Sequence, residues 1–383
     1  MGKALSVEPS GKGCASIGQG MLAARSPGEG EKMKDGSEEK VSDIGEFGLI
    51  DRIGALIGRK GVSSERVILG MGDDTASFLP RPGYEILATC DSMVEGRHYL
   101  PGFFSSFDLG RRAMDSNISD VGAMGGRPLY ALITLGLEAD TAVHEVEELY
   151  RGFLAELAPF GASIIGGNVT RSGSGMFIDI FLIGEVEQGK SVRRRGARPG
   201  DAVLVTGCPG EAAAGLELLV HGPRDVPLSD HPLVRAFRTP SHRALVGEAV
   251  ARTGRVTAMI DTSDGFLGDL GHILEASGVG AELFEEKIPV SGALREGALM
   301  LGRDPLAFFL GESDDYELIM TCDPLHAAFL GGVAARCCSA PLTEVGRITA
   351  GSGITLCLSG GGRRALEATR WDHFRPMGDP SRA

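Results

Sequence analysis

Short apolar blocks separated by polar and glycine-containing segments begin near residue 45 and predict alternating strands and helices. Five apolar runs in the first half predict strands: Val67–Leu69, Ile86–Cys90, Tyr130–Leu137, Ser163–Ile165 and Met176–Val186. Between them, apolar positions at helical spacing predict a helix from Asp108, a candidate N-cap residue, to about Ala123. A second helix is predicted over HEVEELYRGFLAEL, whose apolar residues fall on one face.

The second half repeats this mixture after the segment RRRGARPGD, which we interpret as the entry to a second domain. Strands are predicted in AVLVTG, VTAMI, YELIMTC, LTEVGRI and GITLCLS, and helices in EAAAGLELLV, SHRALVGEAVAR, LGDLGHILEAS and LHAAFLGGVAARC. Strands and helices mixed along both halves predict an α/β or α+β class. We expect a disordered, Gly-, Ser-, Lys- and Glu-rich extension (1–44), an N-terminal domain (45–188) and a C-terminal α/β domain (189–383).

Composition narrows the classes of function. The 383 residues include 38 Lys+Arg and 51 Asp+Glu, and the net charge of −13 argues against a nucleic-acid partner. No apolar run approaches the roughly 18 residues that would span a bilayer, so no membrane partner is expected. The seven cysteines are irregularly spaced and form no C-x-x-C, which predicts neither a disulfide framework nor a zinc site and favours a reducing cytoplasm.

A literal phosphate-loop pattern, GEVEQGKS, occupies residues 184–191. In a true phosphate loop, a strand precedes the pattern and a helix follows it, because the helix N-terminal amides bind the phosphates. The strand is present in MFIDIFLI, but the next segment, VRRRGARPGD, has no apolar face and contains Gly196 and Pro199. We therefore predict that the match is accidental.

Acidic residues recur where apolar runs end: Asp73, Asp74, Asp91, Asp261, Asp264, Asp314 and Asp315. Asp120 lies in the first predicted helix, three residues after Asn117 and therefore on the same face. Each residue alone could be an ordinary turn or cap residue. Together they supply the hard oxygen ligands that suit Mg²⁺ bound to nucleotide phosphates.

Glycines and arginines add to this pattern. The segments GDD, IIGGN and DTSDG allow the backbone to approach a ligand closely. Four clustered arginines precede the second domain: Arg193, Arg194, Arg195 and Arg198. One of them can reach a phosphate as a bidentate donor, or the cluster is a solvated basic loop.

Eight motifs occur in an order that resembles a known family: GEFGLI, GDDTA, TCDSMVEGRHY, SNISDVGAMGGRP, IIGGNVTR, RRGARPGD, AMIDTSDGFLGDLGHI and DDYEL. The chain resembles the thiamine-monophosphate kinase family, within the superfamily of aminoimidazole ribonucleotide synthetase. The likeness covers roughly residues 45–375, and VEG-x-H and DTSDG distinguish the kinases from their relatives.

The resemblance implies a two-domain synthetase-like fold, whose N-terminal sheet domain pairs with a second subunit to form a homodimer. It implies a cytoplasmic enzyme that phosphorylates thiamine monophosphate to thiamine diphosphate, with ATP and several Mg²⁺ ions in a cleft near the dimer interface. No catalytic residue is implied beyond the metal and substrate ligands. Phosphoryl transfer to an anionic phosphate oxygen requires positioning and charge neutralisation more than a strong base.

The resemblance also implies roles for residues at matching positions. The implied metal ligands are Asp74, Thr89, Cys90, Asp91, Asp120, Asn168, Asp261 and Asp264. The implied ATP contacts are Gly167, Asn168, Arg194 and Ser263. The implied contacts with thiamine phosphate are His98, Asp314 and Trp371, whose indole can stack on the cationic thiazolium. Without the resemblance, His98 could equally be an ordinary surface histidine, and Trp371 could equally cover the edge of a hydrophobic core.

Three positions depart from the family pattern. Asn168 stands where the family usually has Asp, Asp314 replaces a Glu, and Cys90 replaces a Thr. These departures leave open how many metal ions bind and which molecule accepts the phosphoryl group. Two alternatives therefore stay open: a paralogue that acts on another small phosphorylated substrate, or a catalytically inactive nucleotide-binding homologue.

Overall fold

The structure, a computed structural model, describes residues 38–60, 65–223, 228 and 230–368. Its α-helices are Val41–Lys60 (α1), Ser106–Ala123 (α2), Val143–Leu157 (α3), Glu211–His221 (α4), Pro232–Arg238 (α5), Ala244–Arg252 (α6), Phe266–Ser277 (α7), Gly292–Leu301 (α8), Pro305–Phe309 (α9) and Pro324–Ala334 (α10). Its strands are Val67–Leu69 (β1), Ser77–Phe78 (β2), Tyr84–Val94 (β3), Arg127–Leu137 (β4), Ser163–Arg171 (β5), Phe177–Glu187 (β6), Ala202–Thr206 (β7), Val256–Asp261 (β8), Gly280–Phe284 (β9), Leu318–Cys322 (β10), Leu342–Thr349 (β11), Ile354–Leu358 (β12) and Gly362–Leu366 (β13).

The first sheet contains four strands in the order β3-β6-β4-β5, and only the β4–β5 pair is parallel. Alternate residues of these strands, such as Ile133 and Ile180, are fully buried in one core with apolar residues of α1, α2 and α3. The opposite face carries a smaller apolar cluster and leaves Phe181 partly exposed. Helices therefore cover one face of this sheet within the described chain.

The second sheet contains seven strands in the order β13-β12-β9-β11-β7-β10-β8, with β12 and β9 as the parallel pair. Strand β7 is buried on both faces. Val203 and Val205 belong to one core with α7, and Ala202 and Leu204 belong to another with α6 and α10. This double burial explains the uninterrupted apolar run AVLVT, because a strand packed on both faces needs no polar alternation.

Helix α2 packs against both halves of the described chain, and close contact between glycines allows it to cross α6. A Cβ atom built on Gly122 would lie 2.4 Å from the Cα of Ala244. A Cβ on Gly247 would lie 2.1 Å from the carbonyl oxygen of Gly122. The two backbones therefore meet at a distance that only glycine permits at these positions.

Several predicted boundaries need correction. Helix α2 begins at Ser106 rather than after Asp108, and Ser105 is its N-cap, since the Ser105 hydroxyl accepts from the Asp108 amide at 3.1 Å. Helix α1 begins at Val41, so the last residues of the extension predicted over 1–44 are helical. Residues 1–37 lie outside the described residues.

The segment after the GEVEQGKS pattern contains no helix. The chain from residue 188 to residue 201 is turn and irregular backbone, and the next regular element is β7. The structural requirement for a phosphate loop is thus missing, as the sequence predicts. Among the described helices, none has the length and apolar character needed to cross a bilayer.

Candidate active site

A cavity of about 620 Å³ lies where the two sheet domains meet. Residues of β3 and α2 line one side of it, and residues of α4, the end of β8 and the loop before β10 line the other. On α2, the lining residues Arg112, Ser116 and Asp120 are spaced four apart and so share one face of the helix. The cavity therefore receives side chains from distant parts of the sequence.

The carboxylates of this cavity are held by specific neighbours. Thr89 and Asp91 share one face of β3, and α2 packs on that face. The Thr89 hydroxyl donates to Asp120, and the amide of Asp91 donates to the side-chain oxygen of Asn117 at 3.2 Å. Asp261, the last residue of β8, accepts a hydrogen bond from the Ser119 hydroxyl at 2.7 Å. Residues far apart in the chain thus meet around one helix.

Burial and mutual repulsion perturb these acids. Burial, followed by the charge of Asp120, raises the pKa of Asp91 to about 6. Burial, again followed by Asp120, raises the pKa of Asp261 to about 7. Burial also raises the pKa of Asp120, while the Thr89 hydrogen bond and the charge of Arg194 oppose that rise. Buried like charges of this kind need a cation to be stable in the ionised form, and hard oxygen donors fit Mg²⁺.

The DTSDG loop after β8 is ordered by one carboxylate. Asp269 accepts hydrogen bonds from the amides of Ser263, Asp264 and Gly265 at 3.0, 3.0 and 3.1 Å. Gly265 has φ +113°, and a Cβ there would lie 2.4 Å from the Gly311 carbonyl oxygen. The backbone amides of Ser263 and Asp264 are therefore fixed by Asp269, which holds both residues in the cavity wall.

Arg112 is a cavity residue that the sequence analysis did not identify. It is only 1% exposed, donates to the Phe237 carbonyl oxygen and to Asp314, and lies 5.1 Å from the Phe237 ring centroid. The spacing of Arg112 four residues before Ser116 and eight before Asp120 is the signal that could have indicated it. Arg112 thus fixes the position of Asp314, one of the residues implied to contact the acceptor.

Most other predicted site residues line the same cavity: Cys90, His98, Ser263, Asp264 and Asp314. The His98 ring nitrogen Nδ1 accepts from the Val94 amide at 3.1 Å, which fixes the ring beside β3. Tyr316 also lines the cavity, is buried, and has φ +53°, a strained conformation for a residue other than glycine. Trp371 lies outside the described residues.

The structure does not bring Asp74, Gly167 and Asn168 to this cavity. They line a second cavity of about 640 Å³, formed by the segment 70–76, by α1 and by the strands β4 and β5. Asp73 and Asp74 are exposed, and the Asp73 carboxylate accepts from the amide of Asp74 at 2.8 Å. The implied metal and nucleotide ligands are thus divided between two places in the single chain.

Comparisons with known proteins agree with this architecture. The family described as AIR synthase related protein, N-terminal domain, matches residues 72–186, and the corresponding C-terminal domain family matches residues 198–358. A thiamine-monophosphate kinase of Aquifex aeolicus is 33% identical over 337 residues, which cover 88% of this chain and 100% of that relative.

Two solved structures resemble the chain in fold and sequence. Thiamine-monophosphate kinase from Stenotrophomonas maltophilia K279a has a TM-score of 0.71 and 32% identity, covering 80% of this chain and 95% of its own. The structure described as AaThiL complexed with AMPPCP and TMP has a TM-score of 0.65 and 33% identity, covering 82% of this chain and 94% of its own. The likeness therefore extends over both domains.

Proposed function

The chain belongs to the thiamine-monophosphate kinase family, and on that premise we propose that it transfers the terminal phosphoryl group of ATP to thiamine monophosphate. The products are ADP and thiamine diphosphate. The observation that carries the proposal is the carboxylate-lined cavity between the two domains. The chain also matches a thiamine-monophosphate kinase over the whole length of that relative. A related structure bound to AMPPCP and TMP supports both substrates.

Asp91, Asp120 and Asp261 would hold Mg²⁺ in this cavity, with Asp264 beside them. The raised pKa values of Asp91 and Asp261 support this assignment, because they report buried carboxylates that lack compensating positive charge. When bound, the ion supplies neutralisation of the phosphate charge and alignment of the transferring group.

The residues around the cavity position the acceptor. The acceptor oxygen belongs to a phosphate that is already ionised, so the chain needs no general base. Arg112 is held at the cavity wall by Phe237 and Asp314. It keeps the Asp314 side chain, which is 40% exposed, in a fixed orientation. His98 lines the same cavity and would contact the acceptor. These residues bind and orient the substrate, and the Mg²⁺ that the carboxylates would hold neutralises its negative charge.

A second copy of the chain would complete the nucleotide site. The sheet face opposite α2 and α3 exposes Ile86 by 44% and Phe181 by 39%, and Asp74 and Asn168 line the cavity beside it. Large partly exposed apolar side chains on a sheet face favour burial against a partner. We expect the homodimer to cover this face and to bring the second cavity into the nucleotide site.

ADP formation, measured with and without thiamine monophosphate across a range of Mg²⁺ concentrations, tests the proposal. We expect ADP to form only when both thiamine monophosphate and Mg²⁺ are present. ADP formation that requires a different small phosphate ester would favour a paralogue. Nucleotide binding without ADP formation under any condition would favour an inactive homologue. The cytoplasmic location expected from the cysteine pattern stays a prediction.

A further inference from the structure

A buried cluster outside the proposed active site consists of Asp115, Glu156 and His242, and we propose that it binds one divalent first-row transition-metal ion, such as Zn²⁺. The three residues come from α2, from α3 and from the irregular segment before α6. One potential ligand atom from each lies within 4.8 Å of the other two. His242 Nε2 is 3.8 Å from Asp115 Oδ1 and 3.7 Å from Glu156 Oε2.

A second, independent observation that points to a bound ion is the environment of the Asp115 carboxylate. Its side chain is fully buried, and neither carboxylate oxygen accepts a hydrogen bond from any described residue. A buried carboxylate without a donor is costly unless a cation compensates it. Burial, followed by the neighbouring Glu156 carboxyl, raises the pKa of Asp115 well above its usual range. The carboxylate therefore has unused ligand capacity directed into the cluster.

The neighbouring cations do not meet this need. Arg111 donates to Glu156, Arg112 donates to Asp314, and Arg243 donates to Glu317 at 2.6 Å. Arg111 and Arg112 also act on Asp115 through their charges, but none of the three guanidinium groups donates a hydrogen bond to it. An ion within the cluster would supply the direct contact with Asp115 that the three arginines do not make.

Glu156 and His242 are oriented as metal ligands usually are, by contacts on their far sides. Glu156 uses Oε1 to accept from Arg111 and directs Oε2 towards His242. The His242 ring packs against Phe160, with the ring centroids 5.5 Å apart. Neighbours that hold a ligand in place in this way increase metal affinity. Glu156 and His242 are each 11% exposed, so an ion can reach the cluster from the surface.

The donor set selects the class of ion. Zn²⁺ binds imidazole nitrogen and carboxylate oxygen at about 2.0–2.2 Å, which places tetrahedral ligands about 3.3–3.6 Å apart. The two separations from His242, 3.7 and 3.8 Å, need only a small contraction, and the Asp115 and Glu156 oxygens lie within 4.8 Å of each other. Binding through Nε2 moves the proton to Nδ1 and breaks the 3.3 Å contact from the Ala244 amide, which is long for a hydrogen bond. Mg²⁺ prefers oxygen ligands and is a poor fit to a histidine.

The full chain, stripped with a chelator and then saturated with Mg²⁺ to fill oxygen-only sites, is titrated with Zn²⁺ by calorimetry and with Co²⁺ by visible absorption. We expect one bound ion per chain in the wild type. Asp115→Asn and His242→Gln should each weaken binding by at least about tenfold. The exposed residues Asp140 and His144 provide matched controls, and Asp140→Asn and His144→Gln should bind as the wild type does.

A melting experiment gives a readout that does not depend on activity. Zn²⁺ should raise the melting temperature of the wild type and of both control variants, but not of either cluster variant, because only a folded site binds the ion. Equal zinc binding by the wild type and both cluster variants would place the ion elsewhere and overturn the proposal. So would a wild type that binds no Zn²⁺ at micromolar concentration. If Asp115→Asn does not fold, the His242→Gln result decides.

Discussion

At the scale of single residues, the cavity acids act as a set because each is buried beside another. Asp120 contributes to the raised pKa of both Asp91 and Asp261. The hydroxyls of Thr89 and Ser119 donate to Asp120 and Asp261, so these carboxylates have fixed orientations in the described chain. Changing one of them should therefore alter the charge of the site more than its shape.

Asp91→Asn should abolish turnover and leave the fold intact. The amide has the shape of the carboxylate but not its charge, so Mg²⁺ loses a compensating ligand. ADP formation and circular dichroism measure the two effects, with Asp140→Asn, at an exposed position, as the matched control. Near-normal activity of Asp91→Asn at ordinary Mg²⁺ concentrations would remove Asp91 from the metal site.

Asn168→Asp should lower the Mg²⁺ concentration needed for half-maximal ADP formation. Asn168 lines the second cavity with Gly167 and Asp74, and an added carboxylate there would strengthen metal binding if the dimer brings this cavity to the nucleotide. The acceptor should not change. An unchanged Mg²⁺ dependence would separate Asn168 from the metal site. Activity that appears only in Asn168→Asp would identify the wild type as an inactive homologue.

At the scale of elements, α2 connects the two domains and carries much of the site. Arg112, Ser116 and Asp120 face the first cavity, while Asp115 faces the Asp115–Glu156–His242 cluster. Its crossing with α6 depends on Gly122. The position of α2 therefore determines the geometry of both places.

Gly122→Ala should lower the free energy of unfolding by about 1–3 kcal/mol, because the new methyl group would overpack the crossing with α6. Gly331→Ala is the matched control, since a Cβ on Gly331 within α10 meets nothing within 4 Å. It should raise stability by about 0.5–1 kcal/mol through helix propensity. Urea unfolding measures both variants. A Gly122→Ala protein as stable as Gly331→Ala would show that the two helices can separate without cost.

Lys190→Ala should change kcat little, because no helix follows the GEVEQGKS pattern to direct amides at a phosphate. A lysine in a true phosphate loop stabilises the transferring phosphoryl group, and its removal is severe. Steady-state ADP formation provides the measurement. A fall of about 100-fold or more, equivalent to roughly 2.7 kcal/mol of barrier, would restore the phosphate-loop interpretation.

At the scale of the whole molecule, buried acids should make the metal-free protein less stable as the pH rises. Burial raises the pKa of Asp91 to about 6, of Asp261 to about 7 and of Asp269 to about 8. Unfolded carboxyls titrate near 3.9, so the folded state binds more protons than the unfolded state above that pH. The stabilising contribution is complete below about pH 4 and is lost as the pH rises through 6 to 8.

Urea unfolding in a metal chelator at pH 6.5 and at pH 8 tests this expectation. Burial lowers the pKa of His242 to about 4, whereas an unfolded histidine titrates near 6.5, so His242 still raises stability slightly above pH 6.5. The fall due to Asp261 and Asp269 should exceed this rise. Stability should fall across the interval, and Mg²⁺ should reduce the fall because it favours the ionised acids. Stability that rises from pH 6.5 to pH 8 would contradict the assignment of these pKa shifts.

The sequence alone determined the class of fold and most long elements, because apolar periodicity is a local property of the chain. It also determined the types of functional residue, since the acidic and glycine-containing motifs occupy strand ends and loops. Short elements such as α5, α9 and β9 were not predicted, because five to seven residues carry too little periodicity. The sequence favours Asp108 as the start of α2 because aspartate and serine are equally good N-caps, and only the hydrogen bond from the Asp108 amide identifies Ser105 as the cap.

Only the tertiary structure decided which residues meet. Asp91, Asp120 and Asp261 converge because α2 packs between β3 and the end of β8, and no local pattern records that packing. The same packing divides the implied ligands, leaving Asp74 and Asn168 in a second cavity of the single chain. It also brings residues with no motif in common, Asp115, Glu156 and His242, into one buried cluster. Distances between side chains depend on how the helices and sheets pack against one another. That packing results from many contacts between residues that are distant in sequence, so no single segment of the chain determines it.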